Sequence, residues 1–341
     1  MMRRYLIVFA SISLVIVGFA AILSYYFGRL DGDLTRIGSY SERDFGWTAK
    51  QPVLDVMSNG QNVTQPDVLV LGDSFSAGNI WQSVVSKNTG YRTQSFLYDN
   101  VGCLDNWFKF ALAHDTARII VVESVERNFL RRFRKNENCL NFTPLPFELL
   151  PKQTVETRAS EPPELYIWHS FETAFNTLKM HWAGQKRLAT KVINVPVVSS
   201  CANLSNRRAD RLLYYPEDQS KLDWVPQDIS TAVSNALAMQ RMARDHGKTL
   251  IFVLVPDKLS VYGQCILPGI EPNLARMPNT AELLRVAGAD IPDLLEFFRA
   301  EMRRTTDLYF PNNTHLSWAG YSLMARQITA KLPIRLLSEP K

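Results

Sequence analysis

Val68 to Leu71 is an unbroken apolar run that stops at Gly72, and such runs recur within Arg118 to Glu123 and Thr249 to Val255. Short apolar runs without polar alternation are strands buried on both faces. Thr93 to Tyr98 reads as a further short strand. Helix-competent stretches lie between and after them: Ala77 to Asn88, Leu104 to His114, and Ile229 to His246, with apolar spacing at Ala232, Ala236 and Met239 and Gly247 as a stop. Asp293 to Arg303 and Leu316 to Leu332 read as closing helices. Strand and helix alternating at short spacing predict an α/β fold with a parallel sheet and helices on both faces. In such sheets, sites form outside the carboxyl ends of the strands. Ser74, Gly102 and the segment from Glu123 to Asn128 would all sit there.

The middle of the chain fits this pattern poorly. Pro144, Pro146, Pro151, Pro162 and Pro163 break it up, leaving one helix over Phe171 to Lys186 and one strand over Val192 to Val198. We read residues 131–225 as an insertion or lid. Its basic cluster, Arg131, Arg132, Arg134 and Lys135, is either a solvated face or one wall of a groove for an acidic polymer. The resulting layout is an anchor at 1–30, an irregular polar arm at 31–65, and one domain at 66–335 interrupted by the insertion.

The anchor rests on Tyr5 to Phe27, a run of 23 residues without a charge, long enough to span a bilayer. Arg3 and Arg4 precede it, and Asp31 and Asp33 lie beyond it, so the basic flank stays inside and the body faces out. A cleaved signal peptide is the alternative, and it too exports the body. Export gives Cys103, Cys139, Cys201 and Cys265 a reason to form one or two disulfides, in any of three pairings. No CxxC spacing or histidine cluster argues for a metal, and no cofactor motif is seen. The net charge of +5 is mild, and its lysines and arginines are not interleaved with aromatics, which excludes an obvious nucleic-acid binder.

The chemistry lies where the first apolar run ends. Asp73 and Ser74 follow Gly72, so Ser74 occupies a sharp strand-to-helix turn, its hydroxyl exposed and helix-start N–H groups beside it. A serine nucleophile needs a base. His315, in Asn312-Asn-Thr-His-Leu-Ser-Trp-Ala-Gly320, is the strongest candidate; His114, His169, His181 and His246 stand in helix-like contexts. Asp73 is expected to cap the turn. Trp318 either stacks on a sugar ring or packs the closing helix. Glu123 and Glu126 are a loosely spaced carboxylate pair and a weak basis for glycosidase chemistry.

The Gly72-Asp-Ser74 block and the late His315 resemble the SGNH (GDSL-type) hydrolase superfamily. Val121-Val-Glu-Ser-Val-Glu-Arg127, Leu254-Val-Pro-Asp-Lys-Leu-Ser-Val-Tyr262 and Asp307 through Gly320 are similar to its alginate O-acetylation branch, although that branch places its histidine motif before the serine block. The resemblance implies a three-layer α/β/α sandwich and an O-acetyltransferase or acetylesterase acting on polysaccharide, with Ser74 as nucleophile and His315 as base. It places the oxyanion hole at the Ser74 and Gly102 amides. The Gly-x-Asn-Asp block that supplies a third donor in many members is absent, so Ser124, Arg127 or Asn128 is called on, Arg127 first. The acid also departs from the pattern. The superfamily has Asp three residues before the histidine and the alginate branch two before; here these positions are Asn312 and Asn313. Three readings stay open: a Ser–His dyad oriented by an asparagine, a charge supplied by Asp307 or another carboxylate, or a non-catalytic member. The expected partners are a polysaccharide acceptor, an acetyl donor delivered by a membrane acyltransferase, and the inner membrane, with the domain in the periplasm. A polysaccharide acetylesterase and a polysaccharide-binding scaffold subunit are the alternatives.

Overall fold

Leu69, Val70 and Leu71 are fully excluded from solvent, as are Ile120, Val121 and Val122, and Ile251, Phe252 and Val253. In a strand, successive side chains point to opposite faces, so burial of every one requires a layer on each side. The computed structural model describes residues 2–27, 32–38, 40–57, 65–101, 103–134, 155–158, 192–198, 200–270 and 272–333. Among them β2 (Val68–Gly72), β3 (Thr93–Leu97), β4 (Ile119–Val125) and β8 (Thr249–Val255) form one sheet of order β3-β2-β4-β8, parallel throughout. Val68 aligns with both Thr93 and Ile119, and Ile119 with Thr249.

The two faces bury two separate cores. Val68, Val70, Val121 and Val253 pack against Trp81 and Val85 of the Ile80–Thr89 helix, Phe298 of Leu294–Glu301, and Tyr321, Met324 and Ile328 of Trp318–Thr329. Leu69, Leu71, Ile120, Val122 and Phe252 pack against Trp107 and Phe108 of Leu104–Ala113 and Ala236 and Met239 of Pro226–Asp245. Each buried aliphatic side chain contributes about 1.5–3 kcal/mol relative to exposure. This is the three-layer α/β/α architecture that the sequence predicts.

The differences are local. The predicted helix from Ala77 is split into Ser74–Ala77 and Ile80–Thr89, because Asn79 between them is left-handed, with φ 53°. The strand expected at Val192 to Val198 exists as β6 (Ile193–Pro196), but it pairs antiparallel with β7 (Arg211–Tyr214) outside the main sheet. β1 (Leu54–Met57) pairs antiparallel with β5 (Val155–Arg158), which the polar sequence did not announce. The helix expected over Phe171 to Lys186 lies outside the described residues. Cys201 and Cys265 form a disulfide, and Cys103 is also disulfide-bonded; Cys139 lies outside the described residues.

At the N-terminus, Met2–Phe27 is one helix. Its segment Met2–Ile22, with a mean hydropathy of 2.5 and no burial against the rest of the chain, is long and apolar enough for an anchor or a signal sequence. The described residues of the arm after it pack onto the domain. Leu34 and Phe45 pack with Val192 and Leu213, and Glu42 accepts the Gly32 N–H at 2.9 Å.

Candidate active site

Ser74 opens the Ser74–Ala77 helix at the carboxyl end of β2, beside β4 and its downstream turn. Asp73 shapes this turn as expected. One carboxylate oxygen accepts the Phe75 N–H at 3.0 Å, and the other the Val125 N–H at 2.7 Å. Beneath it, the buried Glu123 accepts the Asp73 N–H at 3.0 Å and the Ser76 hydroxyl at 2.7 Å. The Ser74 hydroxyl is exposed above this polar base.

Across 241 positions of sequence, His315 Nε2 lies 2.9 Å from Ser74 Oγ. The loop that carries the histidine is closed by a bridge between Tyr309 and Leu316, and the Phe310 N–H donates to the His315 carbonyl at 3.2 Å. The Phe75 ring backs the imidazole at 4.9 Å. The rest of the His-x-Ser-x-x-Gly motif is architectural. Ser317 caps the Trp318–Thr329 helix by accepting the Gly320 N–H at 3.1 Å. A Cβ on Gly320 would lie 2.2 Å from the Leu308 carbonyl oxygen, so no larger residue lets the helix approach.

Asn313 fixes the imidazole. Its Oδ1 accepts the His315 backbone N–H at 3.0 Å and lies 2.7 Å from His315 Nδ1. Of the two ends of the Asn313 amide only the oxygen can accept a backbone N–H, which assigns the amide orientation. The ring nitrogen facing that oxygen must then be the protonated one. Nε2 is left as the acceptor for the Ser74 proton, the tautomer a general base requires.

The other expected residues fall in different places. Asn312 does not orient the histidine. Its side-chain amide donates to Glu42 at 2.8 Å, and its carbonyl receives the Leu34 and Thr35 N–H groups. Asp307 is not the missing acid. Buried and left-handed at φ 53°, it accepts the Ser205 N–H at 2.7 Å and the Ser205 hydroxyl. The carboxylate beside the imidazole is Asp33 of the arm, with Oδ2 3.6 Å from His315 Nδ1. In the sequence, Asp33 stands only as part of the acidic flank and polar arm after the apolar run. Its one sequence signal is the vacancy at positions 312 and 313.

Gly102 lies outside the described residues. The Ser74 N–H is the first of its helix, where no intrahelical acceptor precedes it. Arg127, the expected third donor, spends Nη1 on Asp257 at 2.6 Å and Asp218 at 3.2 Å. The Ser124 hydroxyl donates to the Val125 carbonyl at 3.1 Å. Trp318 packs edge-on against Phe310 at 5.5 Å and stacks near Tyr321. Glu126 binds Lys221 at 2.5 Å, a different network from that of Glu123, so the glycosidase pair is not formed. Of the basic cluster, Arg132 lies over the Tyr98 ring and the exposed Arg134 pairs with Asp228. His114 and His246 make local helix-end contacts, and His169 and His181 lie outside the described residues. Among the described residues no cluster of histidine, cysteine and carboxylate suited to a metal is found.

One residue that holds the site was not foreseen. The buried Lys258 donates to the carbonyls of Phe310 and Pro311 at 2.9 Å each and of Asn313 at 3.1 Å, clamping the histidine loop. Burial pushes its ammonium down to about 7. Burial likewise holds His315 below the ordinary histidine value, opposed by the charges of Asp33 and Asp73 and aided by that of Arg127.

No curated protein matches the chain. Among protein families, the matching description is an SGNH hydrolase-like domain, acetyltransferase AlgX, over residues 210–340. That span contains His315, Lys258 and β8, whereas the Ser74 turn lies before it. With the α/β/α architecture, the match bears out the resemblance carried by the motifs: over residues 210–340 this chain is similar to the SGNH hydrolase-like domain of the acetyltransferase AlgX.

Proposed function

We propose that the protein is an O-acetyltransferase that acts on an exported or cell-surface polysaccharide through an acetyl ester of Ser74. The single observation that carries the reading is the 2.9 Å contact between an exposed Ser74 Oγ and Nε2 of His315. A degenerate scaffold has no need to keep nucleophile, base and tautomer-fixing acceptor aligned. The similarity of residues 210–340 to an acetyltransferase domain supports the acyltransferase or esterase class.

As Ser74 Oγ bonds to the donor carbonyl carbon, its proton passes to Nε2 and the carbonyl electron pair moves onto oxygen. The Ser74 N–H, first of its helix and without an intrahelical acceptor, would receive that oxyanion. Collapse expels the donor's alcohol or thiol, which takes the Nε2 proton. A sugar hydroxyl then attacks the acetyl-serine, gives its proton to Nε2 and leaves as the acetyl ester, while Ser74 recovers its hydroxyl. Water in place of the sugar makes the same site an esterase. The apolar N-terminal helix supports a membrane-anchored protein whose domain faces the periplasm, where a membrane acyltransferase would hand over the acetyl group.

The test is intact mass of the full-length protein in detergent after incubation with p-nitrophenyl acetate. Wild type gains one acetyl group and Ser74→Ala gains none. No adduct and no nitrophenol release from folded wild type would overturn the reading and favour a polysaccharide-binding scaffold.

A further inference from the structure

We propose that Asp33, carried by the arm that follows the apolar helix, is the charge partner of the His315 imidazolium and replaces the acid missing at positions 312 and 313. The inference rests on the serine acyl-enzyme reading and extends it to a residue 282 positions away from the histidine it serves.

Asn313 performs half of the acid's task. Its neutral oxygen holds the Nδ1–H but cannot balance the positive charge that the ring gains when Nε2 takes the Ser74 proton. Asp33 Oδ2, 3.6 Å from Nδ1, lies beyond a hydrogen bond but well within the range of a strong charge interaction in a partly buried site. Its position is fixed. Oδ1 accepts the Thr314 N–H at 2.8 Å, and Oδ2 accepts the Thr314 hydroxyl. The neighbouring Leu34 and Thr35 N–H groups bind the Asn312 carbonyl, and the Asn312 amide binds Glu42. The arm is thus zipped onto the histidine loop along several residues.

The other carboxylates are committed elsewhere. Asp73 satisfies two backbone N–H groups with its two oxygens, and Asp307 holds Ser205. Among the described residues, Asp33 is the one carboxylate within 4.0 Å of a His315 ring nitrogen. One aspartate normally fixes the tautomer and supplies the charge; here Asn313 does the first and Asp33 the second. A consequence is that the site is complete only when the arm is docked. Asp33 lies six positions after Phe27, the last residue of the apolar helix, so anchor and chemistry share one segment.

The charged groups facing His315 are Asp33, Asp73 and Arg127. The base form of His315 is the active one, so the rate falls as pH falls through its titration. Burial places that acid limb below the ordinary value of 6.5, and removing the Asp33 charge lowers it further.

The experiment measures the rate of Ser74 acetylation by p-nitrophenyl acetate across pH in full-length protein in detergent. Wild type, Asp33→Asn, Asn313→Asp and the double variant are compared. Asp33→Asn is expected to acylate roughly 10²-fold more slowly, less than the ~10⁴ lost when the tautomer is also wrong, with its acid limb moved to lower pH. Asn313→Asp restores most of the rate in the Asp33→Asn background, because it places a carboxylate oxygen where the amide oxygen now lies 2.7 Å from Nδ1. Asp33→Ser removes the same charge with a smaller side chain, and is read the same way should the asparagine variant fold poorly. A rate within twofold of wild type and an unmoved limb overturn the proposal. So does a loss that Asn313→Asp does not recover, since that marks Asp33 as a clamp on Thr314 alone. Wild type that never acetylates overturns the acyl-enzyme reading along with this one, whereas acetylating wild type with indifferent Asp33 variants overturns this one only.

Discussion

Gly72 owes its identity to space. A Cβ there would lie 2.2 Å from Ser76 Oγ and 2.6 Å from Glu123 Oε2. Those atoms form the base on which Asp73 and Ser74 rest, with Trp81 Nε1–H also donating to Ser76 Oγ at 3.1 Å. Burial, and then the charge of Asp73, hold the Glu123 carboxyl well above the usual carboxylate range. A methyl group at position 72 has nowhere to go without shifting this base. Gly72→Ala is therefore expected to lose about 1–3 kcal/mol, the usual cost of overpacking, in urea unfolding followed by circular dichroism. A change below a few tenths would show that Ser76 and Glu123 move aside freely.

Between elements, the turns after β4 and β8 are tied together by a buried ion cluster. Lys221 reaches Glu126 at 2.5 Å, Asp257 at 2.7 Å and the Ser260 hydroxyl at 2.5 Å. Arg127 spans Asp257 and Asp218. Burial alone would lower the Lys221 ammonium, but the charges of Asp257 and Glu126 outweigh it and raise it. Burial, then the charge of Asp257, raise the Asp218 carboxyl to about 7. Removing one partner of such a set leaves the others charged, buried and uncompensated. Lys221→Met is expected to cost about 3–5 kcal/mol in the same unfolding measurement. A neutral outcome would mean that the carboxylates take up protons or water at little cost. The cluster also fixes Arg127 and Pro256-Asp257, and Lys258 follows directly with its clamp on the histidine loop. Pairing and clamping on adjacent residues carry rigidity from the sheet to His315.

For the molecule as a whole, the Cys201–Cys265 bridge closes a loop of 64 residues that includes β7, the Pro226–Asp245 helix and β8. Chain-entropy reasoning assigns a loop of that size about 4 kcal/mol at most. The double variant Cys201→Ala/Cys265→Ala should unfold about 2–4 kcal/mol earlier; an unchanged midpoint would show that the surrounding contacts suffice. Much of this architecture was legible in the chain. The apolar runs at 68–71, 119–122 and 249–255 mark β2, β4 and β8, because only strands covered on both faces lack polar alternation. Ser74 and His315 were legible because a turn residue after a buried strand and a lone motif histidine stand out locally. β1 and β5 were not, since short strands with polar residues carry little periodic signal. The division of labour among Asn312, Asn313 and Asp33 was not legible either. Two adjacent asparagines are equivalent in sequence, and backbone direction alone decides that one faces the imidazole and the other the arm. By itself, then, the sequence determined the layered α/β fold, the apolar N-terminal helix and the serine–histidine pair, all of which follow from local hydrophobic pattern and turn chemistry. Only the tertiary structure decided which carboxylate stands beside His315, because that contact joins residues 33 and 315 through chain folding, and no spacing rule connects them.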